Sequence, residues 1–136
     1  MGFKMDIDDQ IKMFDRFHSS VYDIASAALY EGAGVVADAI RSSTPQDSGD
    51  LADSIGIAEF DKDGDKVSTA IGFSGYDEKG VPNIVKARVL EHGRVDSSGR
   101  TVAKHPFIKN AVRKAKQKAL NAMQKRFEQG VNDITK

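Results

Sequence analysis

The stretch "STPQDSGDLADSI", residues 43–55, decides how this chain is read, because it is the first place where a helical pattern stops. Pro45 pushes Thr44 out of the α region. Asp47 and Ser48 can turn the chain through side-chain bonds to the backbone. Gly49 supplies a backbone free to take a positive φ. Ser48 or Asp50 is placed to cap a short turn carrying Leu51, with Leu51 and Ile55 four residues apart on one side. The same residues admit a second reading, since Asp47, Asp50 and Asp53 could form a carboxylate cluster for metal-dependent hydrolysis. Their spacing of three fits a turn and a first helical turn as well, and no histidine or lysine partner is fixed nearby. Caps and turns explain all of these residues, so the stretch reads as a joint between elements.

Before the joint, residues 6–43 read as one helix. Ile7, Ile11, Phe14, Val21, Ala25, Ala28, Val35 and Ala39 recur at helical steps and define one stripe. Asp6, Asp8 and Asp9 sit where carboxylates suit the positive helix end. Gly32 and Gly34 weaken the middle and suggest close packing or a kink. They lack the preceding strand and the following Lys-Ser/Thr of a phosphate loop. His18 falls near the stripe as a packed or boundary residue.

After the joint, "SIGIAEF" and "KVSTAIGF" read as strands, and Asp63-Gly64 between them signals a hairpin. The intervening "DKDGDK" is no EF-hand: counted from Asp61, glycine comes fourth, Lys66 sixth and Gly72 twelfth. "SGYDEKGVPN" is a polar loop. "IVKARVLEHG" is a short helix or a strand-like segment ended by Gly93. The segments near 74–83 and 94–104 have little to bury and are expected to be mobile. From Pro106 the chain reads as helix almost to its end. Its expected buried stripe runs through Ile108, Val112 with Ala111, Ala115, Ala119, Met123 with Ala122, Phe127, Val131 and Ile134.

Composition narrows the function classes. At 136 residues the chain is expected to form one domain. It has no cysteine, which excludes disulfides and thiol chemistry. No apolar run approaches the ~18 residues of a membrane span. "MGFKMDIDDQ" has no apolar signal core, and Asp6 breaks the myristoylation pattern. A metal pair from His92 and His105 lacks identifiable further ligands. No catalytic residue, metal or cofactor is assigned.

The net charge of zero conceals an asymmetry. Residues 1–65 hold 14 acidic and 5 basic side chains, a balance of −9, while residues 66–136 hold 6 acidic and 15 basic, a balance of +9. Lys104 to Arg126 carries eight cations and no acid. Such a split fits a solvated helix face, attraction between subunits, or a nucleic-acid surface. Against the last, Phe107 is the one aromatic before Arg126 in that run, and no reading motif is present.

The order of motifs over the chain carries a resemblance. "TPQDSGDLADSI", two short strands, "VLEHG", then "HPFIKNAVRKA" opening a long terminal helix resemble the tail-completion and head–tail joining proteins of long-tailed bacteriophages. That family carries Pro-x-Asp-Thr/Ser-Gly-x-Leu-x-x-Ser-Ile after its first helix, then Glu-x-Gly, then Pro-Phe. The matching positions are Pro45, Asp47, Gly49, Leu51, Ser54, Ile55, Glu91, Gly93, Pro106, Phe107 and Ala111. Ala52 stands at a usually basic position, Arg94 replaces the usual Thr, and Asn110 replaces a frequent second proline. The resemblance implies an α+β fold, a small antiparallel sheet packed against long N- and C-terminal helices. It implies a non-enzymatic virion protein made in the host cytoplasm and placed at the head–tail interface. Its partners would be copies of itself in a ring, hexameric by resemblance, with the tail tube and the head connector or stopper proteins, and DNA passing nearby without specific binding. Candidate interface residues are Arg94, Arg100, Lys104, Arg113, Lys116 and Lys118. A nucleic-acid-binding module using the basic terminal helix is the alternative.

Overall fold

The computed structural model describes residues 7–45, 49–63 and 66–135. Asp6, Asp47, Ser48 and Gly64, which enter the sequence reading, lie outside the described residues. The first helix, α1, spans Ile7–Ser43, and the last, α4, spans Phe107–Thr135. They pack against each other in antiparallel fashion: Gly32 faces Met123, and Gly130 faces Ile24. Between them come α2 (Asp50–Asp53), β1 (Ile55–Ile57), β2 (Asp61–Asp63), β3 (Lys66–Ser68), β4 (Ile71–Phe73) and α3 (Asn83–His92). A short ribbon of β5 (Arg94–Val95) and β6 (Thr101–Val102) precedes α4. The fold is α+β, as expected.

The two strand-like runs form one interrupted hairpin. β1 pairs antiparallel with β4, Ile55 opposite Phe73 and Ile57 opposite Ile71, while β2 pairs with β3, Asp61 opposite Ser68. Strand alternation puts Ile55, Ile57, Ile71 and Phe73 on the face that packs on the helices and Gly56 and Gly72 on the other. Ala37 and Ile40 of α1, Leu51, Ile55, Ala87 of α3, Phe107 and Ala111 make the buried centre. Phe73 meets Phe107 edge to face, ring centroids 6.2 Å apart.

Several sequence expectations shift. Among the described side-chain positions of α1 the buried residues are Ile24, Ala28, Gly32, Ala33, Ala37 and Ile40, so part of the apolar stripe lies one or two positions from where periodicity placed it, while Ile7, Ile11 and Phe14 lie outside the described side chains. Val21, Ala25, Val35 and Ala39 are half-buried. Small residues line much of the interhelical seam, and Ile24 fits there against Gly130. His18 is exposed, not packed. On α4 the seam runs through Phe107, Ala111, Ala115, Ala119 and Gly130, leaving Val112, Phe127 and Ile134 substantially exposed. A helix covered by one neighbour along most of its length buries a narrow strip, narrower than the apolar periodicity suggested. The cap of α2 also differs: Gly49 is the N-cap residue, with φ +79° and no side-chain cap bond, and Asp50 is the first helical residue. Residues 83–92, open between helix and strand, are helical.

Candidate functional site

The motif positions converge on the junction where α2, the sheet, α3 and the start of α4 meet. α1 ends at Ser43, before Pro45, and Thr44 folds its hydroxyl back onto the Ile40 carbonyl at 2.6 Å. After Gly49 the chain makes one helical turn that drives Leu51 and Ala52 into the interior. Ser54 closes it: its hydroxyl donates to the Leu51 carbonyl at 2.7 Å. Its own carbonyl accepts the Ser74 N–H at 3.0 Å, tying the joint to the end of β4. Ile55 then enters the core as the first residue of β1.

Glu91 performs a task that its position in α3 does not advertise. Its carboxylate accepts the N–H groups of Ile108 at 2.8 Å and Lys109 at 2.9 Å, capping α4 from a neighbouring helix. α4 has no acidic residue in its own first turn, so Glu91 supplies both the acceptors and the negative charge that its positive end favours. Sequence reasoning placed Glu91 in a motif but missed this role, because the partners are 17 and 18 residues away. A helix start at Pro106 with no acidic residue in its first turn was the available signal.

Gly93 makes the arrangement possible. It has φ +75° and ψ 177°, and a Cβ there would lie 2.8 Å from the Val102 carbonyl oxygen and 3.1 Å from the Lys104 nitrogen. Just beyond, the His105 N–H donates to the Leu90 carbonyl at 2.6 Å. Thus Glu91, Gly93 and Phe107 fasten α3 to α4, while Leu51, Ile55 and Ala111 fill the space beneath.

Two exposed loops are organised by aspartates. Asp77 accepts the N–H groups of Lys79 and Val81 at 2.9 and 2.8 Å and lies 3.5 Å from Lys86 Nζ. The bond from Val81 is the main cause holding its carboxyl below the ordinary value of 3.8. Asp96 accepts the Ser98 hydroxyl at 2.7 Å and the N–H groups of Ser98 and Arg100, and the Ser98 hydroxyl leads in lowering its pKa. Residues 94–102 therefore form a ribbon closed by a tight turn, with Arg94 opposite Val102.

The interface candidates fall in two groups. Arg94, Arg100 and Lys104 are exposed on or beside the β5–β6 ribbon. Arg113, Lys116 and Lys118 are exposed on α4, but not on one face. Arg113 and Lys116 point away from the seam, whereas Lys118 borders an open groove with Val35, Asp38, Ala39, Ser42 and Ala115. Of the joint's aspartates, Asp47 lies outside the described residues and Asp53 is exposed, and among the described residues no three His, Asp or Glu side chains are placed to hold a metal ion. Among the described residues no helix is long and apolar enough to cross a membrane.

The motif residues with described side chains thus cap, turn and pack, and the class they define is a small α+β structural scaffold with exposed ribbons. The chain matches the family described as "Bacteriophage HK97-gp10, putative tail-component" over residues 8–93, and it belongs to that family. It is accordingly a phage tail component, a structural protein of the virion that works in contact with other virion proteins. The matched segment runs from α1 through the joint and the sheet to Gly93, so Pro106, Phe107 and Ala111 belong to the junction by their place in the fold alone. Comparison with curated proteins and with solved structures gave no match.

Proposed function

We propose that this tail component sits at the head-proximal end of the tail, completes it as a ring of identical subunits, hexameric by resemblance, and presents a surface to the head connector or stopper. The whole chain, residues 1–136, acts as one tail-completion domain. The loops near 74–83 and 94–104 keep their local turns through Asp77 and Asp96 but move as units in the free protein and become fixed on docking. The supporting observation is the ribbon at 94–102, whose four strand residues are all exposed around a tight turn. Such a two-stranded element has little to hold it within one subunit. Subunit addition needs no bond making, and a ring of head-to-tail contacts needs two different complementary faces, which the −9/+9 charge split supports.

The nucleic-acid reading retains one favourable observation. Lys109, Arg113, Lys114, Lys116 and Lys118 are exposed, and none forms an ion pair with another described residue. A ring that lets DNA pass would carry such a surface without binding sequence.

The deciding experiment mixes the protein with tails that lack it and images them by electron microscopy. Density added at one end only, with restored head joining, is expected. Unaltered tails would overturn the reading. Rapid amide exchange through residues 97–101 of the free protein is the companion expectation, and strong protection there would reject docking-coupled ordering.

A further inference from the structure

The subunit carries two exposed patches whose chemistry is complementary. On the basic ribbon, Arg94 and Val102 are directly opposite and share one face. Arg100 and Lys104 lie just outside β6, two residues either side of Val102 in the chain, and add positive charge beside that face. All three cations are exposed, and Val102 is 46% exposed. The second patch is aromatic and acidic. Tyr30 of α1 and Phe60, just before β2, meet edge to face at 6.3 Å, yet remain 57% and 38% exposed. Glu31 follows Tyr30, Glu59 and Asp61 flank Phe60, and all three acids are exposed.

The patches are attached to different parts of the fold. The ribbon springs from the α3–α4 junction beside Leu90 and His105. Phe60 reaches α1 at Tyr30, ten residues back from the core residue Ile40, about 15 Å along the helix axis. An apolar centre ringed by charge is the common anatomy of a protein interface. Here one patch has an aliphatic centre with cations beside it, the other an aromatic centre with exposed acids next to it in the chain. Arginine over an exposed tyrosine ring adds a cation–π contact.

We infer that the occupant of the Tyr30–Phe60 patch is the Val102 face of the β5–β6 ribbon of a second copy of this chain. Arg94, Arg100 and Lys104 of one copy then face Glu31, Glu59 and Asp61 of the next. The contact is heterologous, so each copy offers one patch forward and one back, as a closed ring requires. It rests on the ring reading above and specifies the faces that ring would use. A nine-residue ribbon covers less than the roughly 800 Å² per partner of a standard interface, so the contact is weak between free subunits and strengthens when several copies are held together.

Two experiments on full-length purified protein test it. The chain has no cysteine, so Phe60→Cys and Val102→Cys variants carry single reporters. Mixed and oxidised at high concentration, they should give the Phe60→Cys/Val102→Cys disulfide at least tenfold over either homodimer. A statistical mixture of the three disulfides overturns the inference. In the second, Arg94→Glu/Arg100→Glu and Glu59→Arg/Asp61→Arg are each singly repelled, but their equimolar mixture restores every charge pair. Sedimentation at high concentration should show monomers for each alone and oligomers for the mixture. Assembly of either variant alone, or none from the mixture, overturns it. Neither readout uses heads or tails, so selective cross-linking with failed tail completion would sink the proposed function and leave the interface standing. Normal completion with statistical cross-linking would do the reverse.

Discussion

Four glycines show how differently one residue type is used. Gly93 combines a backbone region open almost only to glycine with a 2.8 Å approach of the Val102 carbonyl. Gly49 has φ +79°, but a Cβ there would meet only Asp53 Oδ2 at 3.9 Å. In α1, Gly34 has nothing within 4 Å of a built Cβ. Chemical denaturation should therefore rank the variants. Gly93→Ala should lose about 2–4 kcal/mol from strain and clash together. Gly49→Val should lose about 1–2 kcal/mol from strain. Gly34→Ala should gain about 0.5–1 kcal/mol from lower unfolded-state entropy. An unchanged midpoint for Gly49→Val would count against the joint. Gly130 adds a fourth case, since its Cβ would lie 2.6 Å from Ile24 Cγ2, on a β-branched side chain with little freedom to move. Gly130→Ala should cost about 1–3 kcal/mol by overpacking.

Elements here are held at their ends by groups from other elements. Glu91→Ala removes the acceptors of two N–H groups of α4 and a charge at its positive end. A loss of about 1–2 kcal/mol is expected in denaturation, with faster exchange of the Ile108 and Lys109 amides. Unaltered exchange at those two amides would show that the cap is not maintained in solution. The ribbon turn depends on Asp96, whose carboxyl is held below 3.8 chiefly by the Ser98 hydroxyl and then the Arg100 N–H. With a depressed folded pKa, the turn's stabilisation is fully present above pH 3.8 and is lost as pH falls through the lower folded value. An NMR titration of the Ser98 and Arg100 amides should show one transition with its midpoint below 3.8. A midpoint at or above that value would mean the turn is not populated.

At the scale of the molecule, the question is what the basic surface of α4 is for. Reversing Arg113 and Lys116 to Glu, on the face turned away from α1, should leave the fold intact and block joining of heads to tails. If the surface instead binds nucleic acid, duplex affinity should be strong at low salt and should fall with log salt by about 0.9 per phosphate contact. Weak salt-sensitive binding decides nothing, because any cationic stripe attracts phosphate. Both assays therefore belong on the same variants. Normal joining together with lost tight DNA binding would favour the nucleic-acid reading over assembly.

Much of this protein was determined by its sequence alone. Two long helices, the break at Pro45, the sheet-forming runs and the joint at Gly49 all follow from local physics: periodicity, proline and glycine stereochemistry, and strand alternation. The order of its motifs pointed to phage tail proteins, and the family match over residues 8–93 agrees. Tertiary structure decided the rest. Which stripe of α1 is buried depended on α4 lying close enough that small residues line the seam. Residues 83–92, which the sequence left open, are helical with Ala87 buried in the same core as Leu51 and Phe107. The cap from Glu91 and the meeting of Tyr30 with Phe60 join residues 17 or more positions apart in the chain. No short-range pattern encodes such pairs, because chain folding alone sets the distance between them.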